Sequence, residues 1–179
     1  MHKPIVIVAS VVIVLSAIGA GAAAAKLTDP QIAHIVYTAD NLDIDNAKQA
    51  LDKSKNEEVR RFANRMIADH SSVNDQALAL AKKLNITPED NPTSKSLKDA
   101  QDANRKKLES LSDAAFDKAY ADNEVAYHKA VDDALSKTLI PDAQNAELKS
   151  LLESGLKLFQ DHERHAESLA KQLKAAPQG

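Results

Sequence analysis

On each of four predicted helices, a side chain that can bind a metal lies on or beside the apolar face. An α-helix advances about 100° per residue, which fixes where each side chain lies relative to the apolar stripe. Asp43 falls within the stripe of the first helix, His70 within that of the second and His162 within that of the fourth. Glu124 and His128 lie one turn apart on a flank of the third helix. Imidazole and carboxylate groups that face one interior are how helical bundles build metal sites.

A chain without cysteine offers no thiolate, so a metal site in it would use imidazole and carboxylate groups. Zinc, iron, manganese or copper would suit these donors. His165 forms an i, i+4 pair with Asp161 on a flank of the fourth helix and is a further candidate, whereas His34 points away from its stripe. A second interpretation stays open, since a buried histidine hydrogen-bonded to a carboxylate satisfies both groups without any metal. The protein would then be a structural bundle or a protein-interaction bundle.

The heights of these residues along a bundle give a further test. At about 1.5 Å per residue, a simple up-and-down bundle puts Asp43, His70, Glu124 and His128 within about 8 Å of one level. His162 then lies about 9 Å above His70 and about 13 Å above His128. A connection that crosses the bundle would change these heights, so the sequence does not establish one compact site with four ligands.

Several familiar kinds of catalytic site are excluded by what the chain lacks. A di-iron carboxylate centre needs a Glu-x-x-His pair on each of two helices. No glutamate stands three residues before any of the four candidate histidines, where the chain has Ile67, Val125, Phe159 and His162. Four glycines in the whole chain leave no phosphate-binding loop, and no hydrolase motif occurs. We therefore predict a protein that is not an enzyme, and an oxidoreductase that uses a metal in the bundle stays open as an alternative although it lacks the expected Glu-x-x-His pairs.

The elements that position these residues follow from the helical periodicity. Apolar residues recur at helical spacing in four long segments after residue 25, and no strand-like alternation of useful length occurs. The fold class is therefore all-α: a four-helix bundle with a short extra helix in the connection between helices two and three. That 28-residue connection either crosses the bundle, as in ferritin-like folds, or docks its helix on the outside.

Residues 1–25 have the pattern of a secretory signal, with one lysine, an apolar run over residues 5–18 and small residues at the cleavage site. The run is shorter than the roughly 20 residues that span a bilayer. We expect cleavage, no stable membrane span afterwards, one helical-bundle domain over residues 26–179, and export to the periplasm or outer envelope. The net charge of −3 argues against a nucleic-acid partner. A homo-oligomer or an envelope protein partner stays open.

Three motifs resemble those of one protein family. Val59–His70 resembles the V-x-x-F-A-x-x-M-x-x-D-H signature of the exported bacterial domain of unknown function 4142 family. Phe116–Tyr120 matches its F-D-x-x-Y motif, with His128 at its downstream histidine. His162 followed by Ala166 matches its final H-x-x-x-A motif.

The resemblance covers residues 28–174 and implies a ferritin-like helical bundle that is exported. The polar positions shared with the family fall on Asp69, His70, His128 and His162, and Asp43 stands where many relatives carry glutamate. The family has no established biochemical activity. The prediction is therefore an exported bundle that binds a divalent metal in envelope homeostasis or stress tolerance, with the structural or interaction bundle as the alternative.

Overall fold

The computed structural model describes residues 26–175, so the predicted secretory signal over residues 1–25 lies outside the described residues. The described chain is all-helical, which confirms the predicted all-α class, and no strand occurs between residues 26 and 175. The helices in chain order are α1 (Asp29–Lys53), α2 (Glu57–Leu84), α3 (Pro92–Glu109), α4 (Asp113–Ala134), a π-helical turn (Leu135–Leu139), the single-turn α5 (Ile140–Asp142) and α6 (Ala146–Ala175).

Capping residues begin α1, α2 and α3 and end α2. Thr28 and Gln31 form a reciprocal capping box at the start of α1, which satisfies backbone N–H groups that have no partner within the helix. The side chains of Asn56 and Asn91 accept hydrogen bonds from the first-turn N–H groups of α2 and α3. Asn85, with φ of 53°, ends α2 in the left-handed conformation that asparagine tolerates.

Hydrogen bonds at the two ends of the molecule define the direction of each helix. The carboxylate of Asp29 accepts hydrogen bonds from the backbone N–H groups of Gln144 (2.8 Å) and Asn145 (2.9 Å), so α1 begins beside the turn before α6. Lys53 at the other end of α1 donates to the carbonyl of Glu109 at the end of α3. Helix α3 therefore runs in the same direction as α1 and carries the chain from one end of the molecule to the other, whereas α2 and α4 both run in the opposite direction.

The helices pack as two antiparallel hairpins. Helix α1 packs along α2, α4 packs along α6, and α3 lies mainly against α1. The apolar core is divided into two clusters by buried polar residues on α1, α2, α4 and α6. One cluster includes Phe62, Met66, Tyr120 and Leu169, and the other includes Ile35, Val73, Leu152 and Phe159. No helix within residues 26–175 has the length and apolar character needed to cross a membrane.

Candidate metal centre

The buried polar residues lie at one level of the molecule. Asp43 lies about four helical turns after the start of α1, and His70 lies about four turns before the end of α2. His128 lies about four turns before the end of α5, and His162 lies slightly more than four turns after the start of α6. All four positions are thus about 21 to 24 Å from the same end of the molecule. His128 and His162 lie at similar heights because α4 continues through the π-helical turn to Asp142 and α6 begins only at Ala146, so the offset of about 13 Å expected from the sequence does not occur.

Three imidazole rings meet at this level. The ring centroids of His70 and His128 are 5.7 Å apart, those of His70 and His162 are 5.2 Å apart, and those of His128 and His162 are 5.3 Å apart. The carboxyl groups of Asp43 and Glu124 lie beside them, and each of the five residues exposes at most 2% of its surface. The structure therefore brings together five of the residues predicted from the sequence.

A hydrogen bond on the outer side of each ring orients the imidazole. His70 Nδ1 lies 2.7 Å from the carboxylate of Asp40, and His128 Nδ1 donates to the backbone carbonyl of Glu124 at 3.0 Å. His162 Nε2 donates to the carboxylate of Asp69 at 2.9 Å. These acceptors assign the tautomers of His128 and His162, which leaves a lone pair on the other ring nitrogen of each. Metal-binding histidines are held in this way by an acceptor behind the ring.

The atoms that face the centre have no hydrogen-bond partner among the described residues. They include His128 Nε2, His162 Nδ1 and both carboxyl oxygens of Asp43 and of Glu124. Asp43 Oδ2 lies 3.0 Å from His70 Nε2, but the pair lacks the angular geometry of a hydrogen bond. Burying His128 Nε2 and His162 Nδ1 without partners costs about 1–3 kcal/mol each. A group that binds several of them at once would remove this cost.

The spacing of these donors fits a metal ion. Donor atoms of His70, His128 and His162 all lie within 4.8 Å of one another, and those of Asp43, Glu124 and His128 meet the same limit. Two ligands at about 2.1 Å from one ion are at most about 4.2 Å apart. Side-chain adjustments of less than about 1 Å would therefore suffice to bind an ion. The residues present fit the predicted divalent metal.

The protonation states of the histidines differ. Burial lowers the pKa of His128, and it lowers the pKa of His162 to about 4, so both rings are neutral at neutral pH. Burial also acts to lower the pKa of His70, but the carboxylates of Asp43 and Asp40 outweigh it and raise the pKa to about 10. His70 therefore holds a proton that a metal ion would displace.

The two central carboxyl groups also differ. Burial raises the pKa of Glu124 well above its ordinary value, and the negative charge of Asp43 raises it further. Burial acts in the same direction on Asp43, but the positive charge of His70 outweighs it and holds the pKa of Asp43 below its ordinary value. The metal-free centre therefore contains a charged pair, Asp43 and His70, beside a protonated Glu124.

Two predicted site residues lie outside both groups of converging donors. Asp69 is half-buried at the rim, where it accepts a hydrogen bond from His162 and pairs with Arg65 at 3.2 Å. His165 packs edge-on against Phe62, with ring centroids 5.1 Å apart. The structure adds Asp40, which the sequence interpretation missed. Its position three residues before Asp43 on one face of α1 is the signal that could have revealed it.

A profile of the family described as Domain of unknown function (DUF4142) matches residues 16–169 of the chain. Neither a curated protein nor a solved structure matches it significantly. The match covers α1, α2, α4 and the part of α6 up to residue 169, and it includes the three motifs on which the resemblance depends. The chain therefore belongs to the family described as Domain of unknown function (DUF4142).

Proposed function

We propose that the protein is a ferritin-like four-helix bundle that binds a divalent transition-metal ion at its centre. The four helices of the bundle are α1, α2, α4 and α6, and α3 is the crossing connection that ferritin-like folds use. The ligands are His70, His128 and His162, with Asp43 and Glu124 beside them. Three imidazoles with carboxylates suit zinc, iron, manganese or copper.

The observation that carries this proposal is the set of buried donor atoms that converge without hydrogen-bond partners. A purely structural histidine pairs both of its polar ends within the core or with water. Here the outer nitrogen of each ring is bound and the inner nitrogens of His128 and His162 have no partner in the described chain. His128 on α4 and His162 on α6 therefore each direct a nitrogen lone pair towards the centre.

Charge balance favours a divalent ion. Asp43, His70 and Glu124 together carry no net charge in the metal-free centre when Asp43 is charged and the other two are protonated. An ion of charge +2 that displaces the protons of His70 and Glu124 leaves the buried charge unchanged. A divalent cation therefore avoids the large cost of adding net charge to an interior of low dielectric constant.

Metal analysis of protein purified without a histidine tag tests the proposal directly. We expect wild-type protein to contain a divalent metal, or to gain thermal stability when zinc, iron, manganese or copper is added. His128→Leu should lose both properties because it removes one of the three inner nitrogens. His34→Leu is the matched control, since His34 lies on α1 outside the centre and its side chain is 28% exposed.

The alternative, a structural or interaction bundle with hydrogen-bonded core histidines, predicts a different result. Wild-type protein would contain no metal, would show no thermal shift with any of the four ions, and would be unaffected by dialysis against a chelator. That combination would overturn the metal-binding proposal. Retention of metal by His128→Leu at the wild-type level would overturn the proposed ligand set.

We further propose that the protein acts without catalysing a reaction, after export, in envelope homeostasis or stress tolerance. Support for export comes from the apolar run and the small residues within residues 1–25. Cell fractionation followed by N-terminal sequencing should give a mature chain that begins at Lys26. A cytoplasmic chain that still begins at Met1 would contradict the proposal.

A further inference from the structure

The central donors form two sets that differ in their chemistry. The nitrogen set consists of His70, His128 and His162. The oxygen set consists of Asp43 and Glu124 together with His128. Within each set the donor atoms lie within 4.8 Å of one another, so each set is compact enough to surround one ion after small side-chain adjustments. Imidazole nitrogen suits copper and zinc, whereas carboxylate oxygen suits manganese. The two sets therefore favour different ions.

His128 belongs to both sets and can serve only one of them at a time. Its Nδ1 donates a hydrogen bond to the backbone carbonyl of Glu124 at 3.0 Å, so Nε2 carries the one lone pair of the neutral ring. A single lone pair binds a single ion. An ion that takes it for one set leaves only two residues of the other set, fewer than the three protein ligands of a catalytic zinc site. The two sets are therefore alternatives within one centre.

The nitrogen set surrounds one point from three helices. The ring centroids of His70, His128 and His162 are 5.2 to 5.7 Å apart. His70 Nε2, His128 Nε2 and His162 Nδ1 are buried and have no hydrogen-bond partner within residues 26–175. Three imidazoles are the protein ligands of zinc sites that keep a fourth position open, and imidazole suits copper as well. This set therefore fits a zinc or copper ion.

The oxygen set offers a larger number of donor atoms. Both carboxyl oxygens of Asp43 and both of Glu124 are buried without a hydrogen-bond partner in the described part of the chain. Each carboxylate can thus bind one ion through one oxygen or through two. Octahedral coordination, mostly by oxygen, is typical of manganese. Two carboxylates with one imidazole therefore fit a manganese ion better than three imidazoles do.

We infer that the centre binds one ion at a time, in the nitrogen set when the ion is copper or zinc and in the oxygen set when the ion is manganese. This inference rests on the proposed metal-binding function and adds the residues that decide which ion is bound. His162 sets the affinity for copper and zinc, Glu124 sets the affinity for manganese, and His128 is needed for all three ions.

Titration of metal-free wild-type protein with Cu²⁺ alone and with Mn²⁺ alone, followed by electron paramagnetic resonance, tests the inference. We expect saturation at one ion per chain in each titration, because both sets use His128. The spectrum of bound Cu²⁺ should show coupling to the nitrogens of three imidazoles, and bound Mn²⁺ should couple to one. Protein saturated with both ions together should still contain one ion per chain.

Two variants separate the sets. His162→Leu should weaken Cu²⁺ binding by more than about 100-fold, because losing a ligand costs more than the 10–100-fold loss expected for a partner behind it. The same variant should change Mn²⁺ binding by less than about tenfold. Glu124→Gln should have the opposite pattern, because a neutral amide replaces a carboxylate. His165→Leu is the matched control on α6, since His165 lies outside both sets, and it should leave both affinities unchanged.

The outcomes separate this inference from the proposed function. Equal weakening of Cu²⁺ and Mn²⁺ by His162→Leu or by Glu124→Gln would indicate one common ligand set and would overturn the inference, as would two ions per chain. The wild-type spectra test it independently of how the variants fold, because Mn²⁺ coupled to three imidazoles would also overturn it. Wild-type protein that binds neither ion would overturn the proposed function itself.

Discussion

His128→Leu should stabilise the metal-free protein while it removes metal binding. His128 exposes 1% of its surface, and its Nε2 has no hydrogen-bond partner among the described residues. Removing an unsatisfied buried acceptor gains about 1–3 kcal/mol, and losing the Nδ1 hydrogen bond to the Glu124 carbonyl costs about 0.5–1.5 kcal/mol. Leucine has a similar volume, so overpacking is small. We expect a net gain of about 1 kcal/mol in the free energy of unfolding.

Urea unfolding followed by circular dichroism, in buffer stripped of metal, measures this change. A gain of that size corresponds to about 2–4 °C in Tm for a chain of this length. With metal at about 100 times its Kd, the wild type should gain about 2.7 kcal/mol, and the variant should gain nothing. The order of stability should therefore reverse when metal is added. If metal-free His128→Leu is less stable than the wild type, the imidazole makes a structural contact and the reasoning is refuted.

Three further results are expected. Asp69→Ala should weaken metal binding about 10–100-fold in a chelator competition, because the acceptor that orients His162 is lost; an unchanged Kd would show that the ring is held by packing alone. Gly155→Ala should raise the free energy of unfolding in urea by about 1 kcal/mol, since the new methyl meets only ordinary contacts at 3.7 Å within a helix; lower stability would reveal a hidden clash. Burial, with Glu163 nearby, raises the pKa of Asp132 from 3.8 to about 7, so the folded state binds this proton more tightly than the unfolded state. Its stabilising contribution is present below pH 3.8 and is lost as the pH rises through 7. The stability of the wild type relative to Asp132→Asn should fall over that range in urea unfolding, and a constant difference would contradict the shift.

The helices and much of the centre could be predicted from the sequence because both depend on local periodicity. The stripes on α2 and α6 placed His70 and His162 inside, and both are buried in the structure. The flank that carries Glu124 and His128 is buried as well, although the stripe of α4 is centred elsewhere. The apolar stripe of a helix defines the middle of its buried face. The width of that buried face depends on how the neighbouring helices pack, so it could not be predicted for α4.

The common level of the ligands could not be predicted, because it depends on where each helix begins and ends and on the direction in which it runs. Periodicity within a helix contains no information about which end of the molecule it starts from. The hydrogen bonds of Asp29 to residues 144 and 145 fix that direction for α1, and they join positions that are far apart in the chain. Asp40 was missed for a related reason, since its partner His70 lies on another helix.

The division of the molecule into two hairpins determines how the centre is assembled. The hairpin of α1 and α2 supplies Asp43 and His70, whereas the hairpin of α4 and α6 supplies Glu124, His128 and His162. Neither hairpin holds the full ligand set, so an ion bound at the centre would cross-link the two hairpins in addition to the apolar clusters that they share. In a chain cut in the link between α2 and α3, bound metal would therefore strengthen an association of two fragments that the shared apolar core already supports. Metal availability would then change how tightly the two fragments hold together.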